Sequence, residues 1–176
     1  MIVSSLDGSL TFYRAHTPQW ASQPLSGAGA GRKGGRLNRP GVHALYLAAS
    51  PATAIAEYQQ LASLMPPLTL AAYHVRLASV VDFRAGFDPR VWPPLWQELQ
   101  CNWRQLAFAD RIEPPSWVLS DEVLAAGHAG ILFPSTIDPT GANLVVYVDA
   151  LGANDALAVH DPDSALPRDR SSWSAP

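Results

Sequence analysis

Residues 26–36 read Ser-Gly-Ala-Gly-Ala-Gly-Arg-Lys-Gly-Gly-Arg, and this stretch limits the possible folds most. Glycine has the most backbone freedom to lose on ordering, so five glycines in eleven residues exclude a helix interior or a central strand. A basic loop is expected here, with regular elements on either side. Upstream, Thr11-Phe12-Tyr13-Arg14-Ala15-His16 is aromatic and β-branched and reads as a strand. Downstream, Pro40-Gly41 marks a turn and 44–48 (Ala-Leu-Tyr-Leu-Ala) reads as the next strand.

The clearest helix opens at Ser50-Pro51. The Ser50 hydroxyl suits the N-cap, where it can accept an orphan backbone N–H, and Pro51 suits the first helical position. This helix is expected to reach about Leu64 and stop before Pro66-Pro67. Further on, 69–77 and 79–83 read as two strands and 89–94 as irregular chain. Leu95, Leu99, Trp103, Leu106 and Phe108 mark the buried side of a helix over 95–110. Another helix is expected over 120–126, closed by Gly127, and strands over 130–133 and 144–148.

Strands and helices mix without strict alternation, so the expected class is α+β, a single domain over 1–160 with a small mixed or antiparallel sheet. Residues 161–176 are polar and proline-containing and read as a loose end or a partner-docking segment.

At 176 residues, 48% of them hydrophobic, the chain can bury a full core. A net charge of −3 argues against a protein that coats nucleic acid or anionic lipid by itself. One cysteine, Cys101, excludes an internal disulfide framework and a CxxC metal site, and the five histidines are scattered. No apolar run reaches the length of a membrane span, and the first residues lack the basic and apolar regions of a signal peptide. A cytoplasmic location is expected.

Three features can carry chemistry. Arg32, Lys33, Arg36 and Arg39 place four of the twelve basic residues within eight positions of the glycine-rich stretch. Backbone N–H groups and arginine forks suit a phosphate-bearing ligand, although a solvated loop would look the same. Neither a P-loop nor a dinucleotide fingerprint is present. Glu57, one of only four glutamates, follows Tyr46 by eleven residues and lies amid Ala52, Ala54, Ile55 and Ala56. A glutamate in an alanine-rich helix ordinarily faces solvent. Ser135 ends a buried-looking run, where serine ordinarily forms a turn or caps a helix, and no nucleophile elbow surrounds it.

The blocks Tyr13-Arg14, Gly34-Gly35-Arg36-Leu37-Asn38-x-Pro40-Gly41, Leu45-Tyr46-Leu47-Ala48-x-Ser50-Pro51-x-Thr53-Ala54-x-Ala56-Glu57, Pro134-Ser135 and Asn143-Leu144-Val145 together resemble the RES domain. The family is named for its Arg, Glu and Ser and supplies the toxins of RES–Xre toxin–antitoxin pairs. Two departures stand out: Leu37 replaces the usual aromatic, and Thr136-Ile137-Asp138 replaces a more basic stretch.

The resemblance implies an NAD⁺-consuming fold like that of diphtheria-type ADP-ribosyltransferases. It implies Glu57 as the catalytic carboxylate, with Arg36 and Ser135 in the catalytic set. Arg14 and Arg36 would hold the diphosphate or its ribose, Tyr46 would stack on nicotinamide, and Ser135 would orient the ligand or Glu57. Asn143 joins Arg14, Arg36, Tyr46 and Ser135 in the NAD-binding set. A Tyr46 that only stacks would have a dispensable hydroxyl. NAD is the consumed substrate, and its own cationic leaving group makes a metal unnecessary.

The expected activity is a toxin that cleaves the nicotinamide–ribose bond and transfers ADP-ribose to a protein acceptor. The alternatives are an NAD⁺ glycohydrolase or phosphorylase and a catalytically silent binding module. The joint presence of Arg14, Arg36, Tyr46, Glu57 and Ser135 argues against the last. The protein acceptor is favoured by exposed-looking aromatics in 87–96, whose tryptophans would otherwise be core. The implied partner is an Xre-like helix-turn-helix antitoxin, which would carry any DNA contact. His16, on the face of Arg14 by strand period, either borders the site or makes a structural hydrogen bond.

Overall fold

The computed structural model describes residues 1–60 and 62–173. Its strands are β1 (Val3–His16), β2 (Ala44–Ala48), β3 (Thr69–Asp82), β4 (Gly130–Pro134), β5 (Ala142–Tyr147) and β6 (Ala156–Val159). The helices are α1 (Ala28–Lys33), α2 (Pro51–Gln59) and α3 (Pro115–Ala125). The sheet runs β1-β2-β5-β4-β3-β6, and β1 also pairs with β3, so five strands close on themselves. The β3–β4 pair is parallel, while the others are antiparallel, giving the mixed sheet of an α+β fold.

Period-two alternation divides each strand between two cores. Leu45, Leu47, Leu144, Val146, Tyr73 and Val75 join Phe12 on one side. Ala44, Val145, Tyr147, Ile131 and Phe133 face the other way, under Trp96, Leu99, Leu119 and Val123. The sheet is therefore buried on both faces, which is why β2, β4 and β5 read as continuous apolar runs.

Several sequence expectations need correction. The glycine-rich stretch contains a short helix, α1, in place of an uninterrupted loop. Packing overrides propensity there: Gly31 is buried, and a Cβ on it would collide with the His43 ring. Helix α2 ends at Gln59, sooner than expected, because Gln60 leaves the helical region with φ 49°. Leu61, within the expected extension, lies outside the described residues. The two strands expected over 69–83 are one, β3. The 95–110 helix is replaced by a 3-10 segment, Pro94–Gln100, and a π-helical turn, Gln105–Asp110. Trp96 and Leu99, three apart, are both buried at the period of the tighter helix, and extended Cys101 breaks the run. Phe108, expected in the core, is 55% exposed.

Helix α3 starts at Pro115, five residues before the expected start, with buried Ser116 on its inner face. Strand β6, which pairs with β3, had no sequence signal. Trp92 and Trp96 lie in the core, packed on Phe83 at ring distances of 4.9 and 5.3 Å, so they present no gripping surface. Of the segment 161–176, only 161–173 is described. There Asp161 accepts from the backbone N–H groups of Ala165 and Leu166, and the Arg170 guanidinium sits 4.0 Å from the Trp20 ring centroid. Among the described residues no helix is long and apolar enough to cross a membrane.

Candidate active site

Strands β1 and β2 meet at Tyr13 and Ala48, and beyond that pair they part. A cleft of about 590 Å³ opens there, lined by Arg14, Arg36, Tyr46, Glu57 and Asn143 among others. Each side chain arrives by a local rule. On α2, Ser50 caps the helix by accepting from the Thr53 N–H at 3.0 Å. Thr53 and Ala54 form the buried face of α2, and Glu57 lies four and three residues further on. That spacing turns Glu57 inward, away from the solvent an alanine-rich helix would suggest.

Glu57 meets residues 78 and 86 positions away. The Ser135 hydroxyl donates to its Oε1 at 2.7 Å, and the Asn143 amide donates to the same oxygen at 2.6 Å. Oε2 takes no hydrogen bond among the described residues. The Ser135 hydroxyl is fully committed, since it also accepts from the N–H groups of Ile137 and Asp138 at 3.1 Å each. Ser135 therefore stands behind Glu57 and orients it, while Asn143 lies on the cleft wall. Asp138, in the segment that departs from the family pattern, accepts from Thr53 Oγ1 at 2.6 Å and ties this loop to the start of α2. Hydrogen bonds from Thr53 and Thr140 hold the Asp138 carboxyl below its ordinary pKa.

The Gly34–Gly41 loop is built from the inside. Asn38 is fully buried and donates to the carbonyl oxygens of Ala30 and Val42, each at 3.0 Å. Its side-chain oxygen accepts from the Tyr46 hydroxyl at 2.8 Å, and Tyr46 in turn accepts from the Leu37 N–H at 2.9 Å. Tyr147 donates to the Leu37 carbonyl at 3.0 Å, and Trp117 Nε1 donates to that of Gly35 at 2.7 Å. Gly35 is obligatory: a Cβ there would lie 2.5 Å from Asn38 Oδ1 and 2.6 Å from the Tyr46 hydroxyl. The Tyr46 hydroxyl is thus a structural centre, which corrects the expectation that it is dispensable. Burial pushes its pKa up, so it stays protonated and can donate. Asn38 belongs to the sequence pattern, which gives it no role. An amide between a glycine pair and Pro-Gly was the available signal of a loop organiser.

The basic residues of the loop have separate fates. Arg39 is held by Glu113 at 2.7 Å and by Asp121, which anchors the loop to α3. Arg36 points into the cleft and donates to the Cys101 carbonyl at 3.0 Å. Burial lowers its pKa, the Cys101, Glu57 and Tyr46 groups oppose that, and Arg104 adds to it. Burial likewise lowers that of Arg14, against Tyr73, and Arg14 donates to the Pro24 carbonyl at 3.3 Å. Both remain cations, as guanidinium does throughout the protein pH range. The cleft walls carry Arg14, Arg36 and Arg104 against one carboxylate, Glu57, in a chain of net charge −3. This local excess of positive charge favours an anionic ligand.

His16 is 6% exposed, and its Nε2 is buried without a hydrogen-bond partner. Burial, then the nearby Arg14 charge, lowers its pKa to about 4. It borders a second cavity next to the cleft and makes no structural hydrogen bond through Nε2. Among the described residues no group of three or more His, Cys, Asp or Glu could hold a metal ion.

These features define an α+β protein in which an arginine and a glutamate from distant segments line one cleft and a serine holds the glutamate from behind. The chain belongs to the RES domain family, which matches residues 11–169. It is also similar in fold to a chain in the crystal structure of the M. tuberculosis MbcT–MbcA toxin–antitoxin complex. That likeness has a TM-score of 0.62 at 24% identity and covers 89% of this chain and 84% of that one. No curated protein matches the chain.

Proposed function

We propose that this protein is the toxin of a toxin–antitoxin pair and that it cleaves the nicotinamide–ribose bond of NAD⁺. The observation that carries this reading is the Glu57 carboxylate, oriented through one oxygen by Ser135 and Asn143 and free at the other, in a cleft rich in guanidinium groups. When the bond breaks, its electron pair passes to the pyridine nitrogen and nicotinamide leaves neutral. Positive charge develops on the ribose, as in glycoside cleavage. Glu57 Oε2 stabilises that cation or holds the ribose hydroxyls. An acceptor oxygen then bonds to the ribose carbon and gives up its proton.

Arg14 and Arg36 bind the anionic diphosphate, and Tyr46 holds the loop that presents Arg36 while offering its ring to nicotinamide. The acceptor we favour is small, water or phosphate, because the tryptophans that suggested a protein acceptor are buried. Protein ADP-ribosylation is the second reading. It is favoured by Phe108 and Ile112, 55% and 57% exposed, which follow the cleft residues Trp103 and Arg104.

The fold likeness to a chain of a toxin–antitoxin complex supports an antitoxin partner for this chain. By family resemblance that partner is an Xre-like helix-turn-helix protein that restrains the enzyme in the cytoplasm and makes any DNA contact. Incubation with labelled NAD⁺ tests the whole reading. Free ADP-ribose or its phosphorylated form is the expected product. Label on a protein band would establish the second reading, and intact NAD⁺ would overturn both.

A further inference from the structure

Asp138 grips both elements that meet at Glu57. Its backbone N–H donates to the Ser135 hydroxyl at 3.1 Å, and that hydroxyl donates to Glu57 Oε1. Its side-chain Oδ2 accepts from Thr53 Oγ1 at 2.6 Å, and Thr53 lies one helical turn before Glu57 on α2. These contacts close a ring from Glu57 through Ser135, Asp138 and Thr53 and back along α2. Neither Asp138 nor Thr53 lines the cleft. Hydrogen bonds from Thr53 and Thr140 lower the Asp138 pKa, and an ionised carboxylate can only accept. The Thr53 hydroxyl proton therefore points to Asp138, and Ser50, 2.8 Å away, has to donate to Thr53 Oγ1. The Ser50 oxygen is then left to accept from the Thr53 N–H and cap α2. Gly141 lets the two segments come this close: a Cβ there would lie 2.6 Å from both Asp138 Oδ2 and Thr53 Oγ1.

We propose that Asp138 is a positioning residue for Glu57, clamping the Ser135 loop onto the first turn of α2 so that the carboxylate keeps one orientation in the cleft. This inference rests on the NAD⁺ reading above. Ser135 and Asn143 fix the head of the Glu57 side chain, while its backbone follows the turn that starts at Ser50. The Thr53–Asp138 bond pins that turn to the same loop that carries Ser135. Without it the helix and the loop can shift apart while each stays folded. Such a shift weakens the interaction of Glu57 with the developing cation more than it weakens substrate binding, because Arg14 and Arg36 come from other segments.

Steady-state kinetics of NAD⁺ consumption by the full chain, with the melting temperature of each variant, test this. Asp138→Ala and Thr53→Val are each expected to lower kcat roughly tenfold with little change in the KM for NAD⁺. The double variant is expected to fall no further than the single ones, since both cut the same link. Thr53→Ser keeps the hydroxyl and is expected to keep the wild-type kcat. An unchanged kcat in Asp138→Ala, whatever its melting temperature, would overturn the proposal. So would additive losses in the double variant, or a loss in Thr53→Ser equal to that in Thr53→Val. Thr53 is fully buried, so if Thr53→Val fails to fold, Asp138→Ala, at a partly exposed position, decides alone. NAD⁺ left intact by the wild type would overturn the functional reading and this proposal with it. Consumption by the wild type with kcat unchanged in Asp138→Ala would remove only the clamp.

Discussion

The Ser135 hydroxyl donates a 2.7 Å hydrogen bond to Glu57 Oε1, joining the end of β4 to the last turn of α2. Asn143 on β5 donates to the same oxygen. The carboxylate is therefore held in one orientation before any ligand arrives, and in the proposed reaction that preorganisation would let it act on a developing cation. Glu57→Gln keeps the size but removes the charge, and its rate of NAD⁺ consumption is expected to fall about 10²–10³-fold. Circular dichroism should report an intact fold, and near-wild-type turnover by the folded variant would remove Glu57 from its role.

Tyr46→Phe deletes a hydroxyl that donates to fully buried Asn38 and accepts from Leu37. Leaving a buried acceptor unpaired costs about 1–3 kcal/mol. A drop of that size in urea unfolding is expected, with weaker NAD⁺ binding because the loop also presents Arg36. Wild-type stability in Tyr46→Phe would mean that the ring alone matters.

Gly35→Ala puts a Cβ against Asn38 Oδ1 and the Tyr46 hydroxyl. Neither neighbour can retreat without breaking the loop network, so a loss of about 1–3 kcal/mol is expected, as for other overpacked sites. Thermal unfolding compared with Gly29→Ala, where a Cβ meets nothing, is the matched control.

Arg36→Lys keeps the charge and loses the planar fork that bonds Cys101 and faces the cleft at the same time. The Michaelis constant for NAD⁺ is expected to rise more than the turnover number falls. An unchanged constant would place the diphosphate elsewhere.

His16 gives a pH signature. Its pKa in the fold is about 4, against 6.5 for the free side chain, so between those values the unfolded state binds the extra proton. Its contribution is fully present above pH 6.5 and is lost as pH falls toward 4. The shift corresponds to at most about 3 kcal/mol. Unfolding free energies of the wild type should therefore decline across pH 6.5–4 more steeply than those of His16→Gln. Equal slopes would show that His16 protonates freely in the fold.

Local chemistry made parts of this protein legible in the sequence. Strand β2 was read at its observed bounds, because continuous apolar residues between turn signals leave few alternatives. The start of α2 was equally clear, because Ser50 and Pro51 satisfy or remove orphan N–H groups without outside help. The family is legible only as a pattern across the chain. Nothing in an alanine-rich helix says that Glu57 turns inward, and nothing near Ser135 says that its hydroxyl is spent on a carboxylate 78 positions away.

Tertiary structure alone decided the rest. Residues 28–33 became helical because packing around Gly31 outweighs the poor propensity of glycine. Residues 95–110 broke into two irregular turns because Trp96 and Leu99 had to fill the second core together. Propensity and capping are properties of neighbours in sequence, so the chain determines them by itself. The orientation of Glu57, the separate fates of Arg36 and Arg39, and the place of Arg170 depend on contacts between distant segments, which exist only once the sheet has closed.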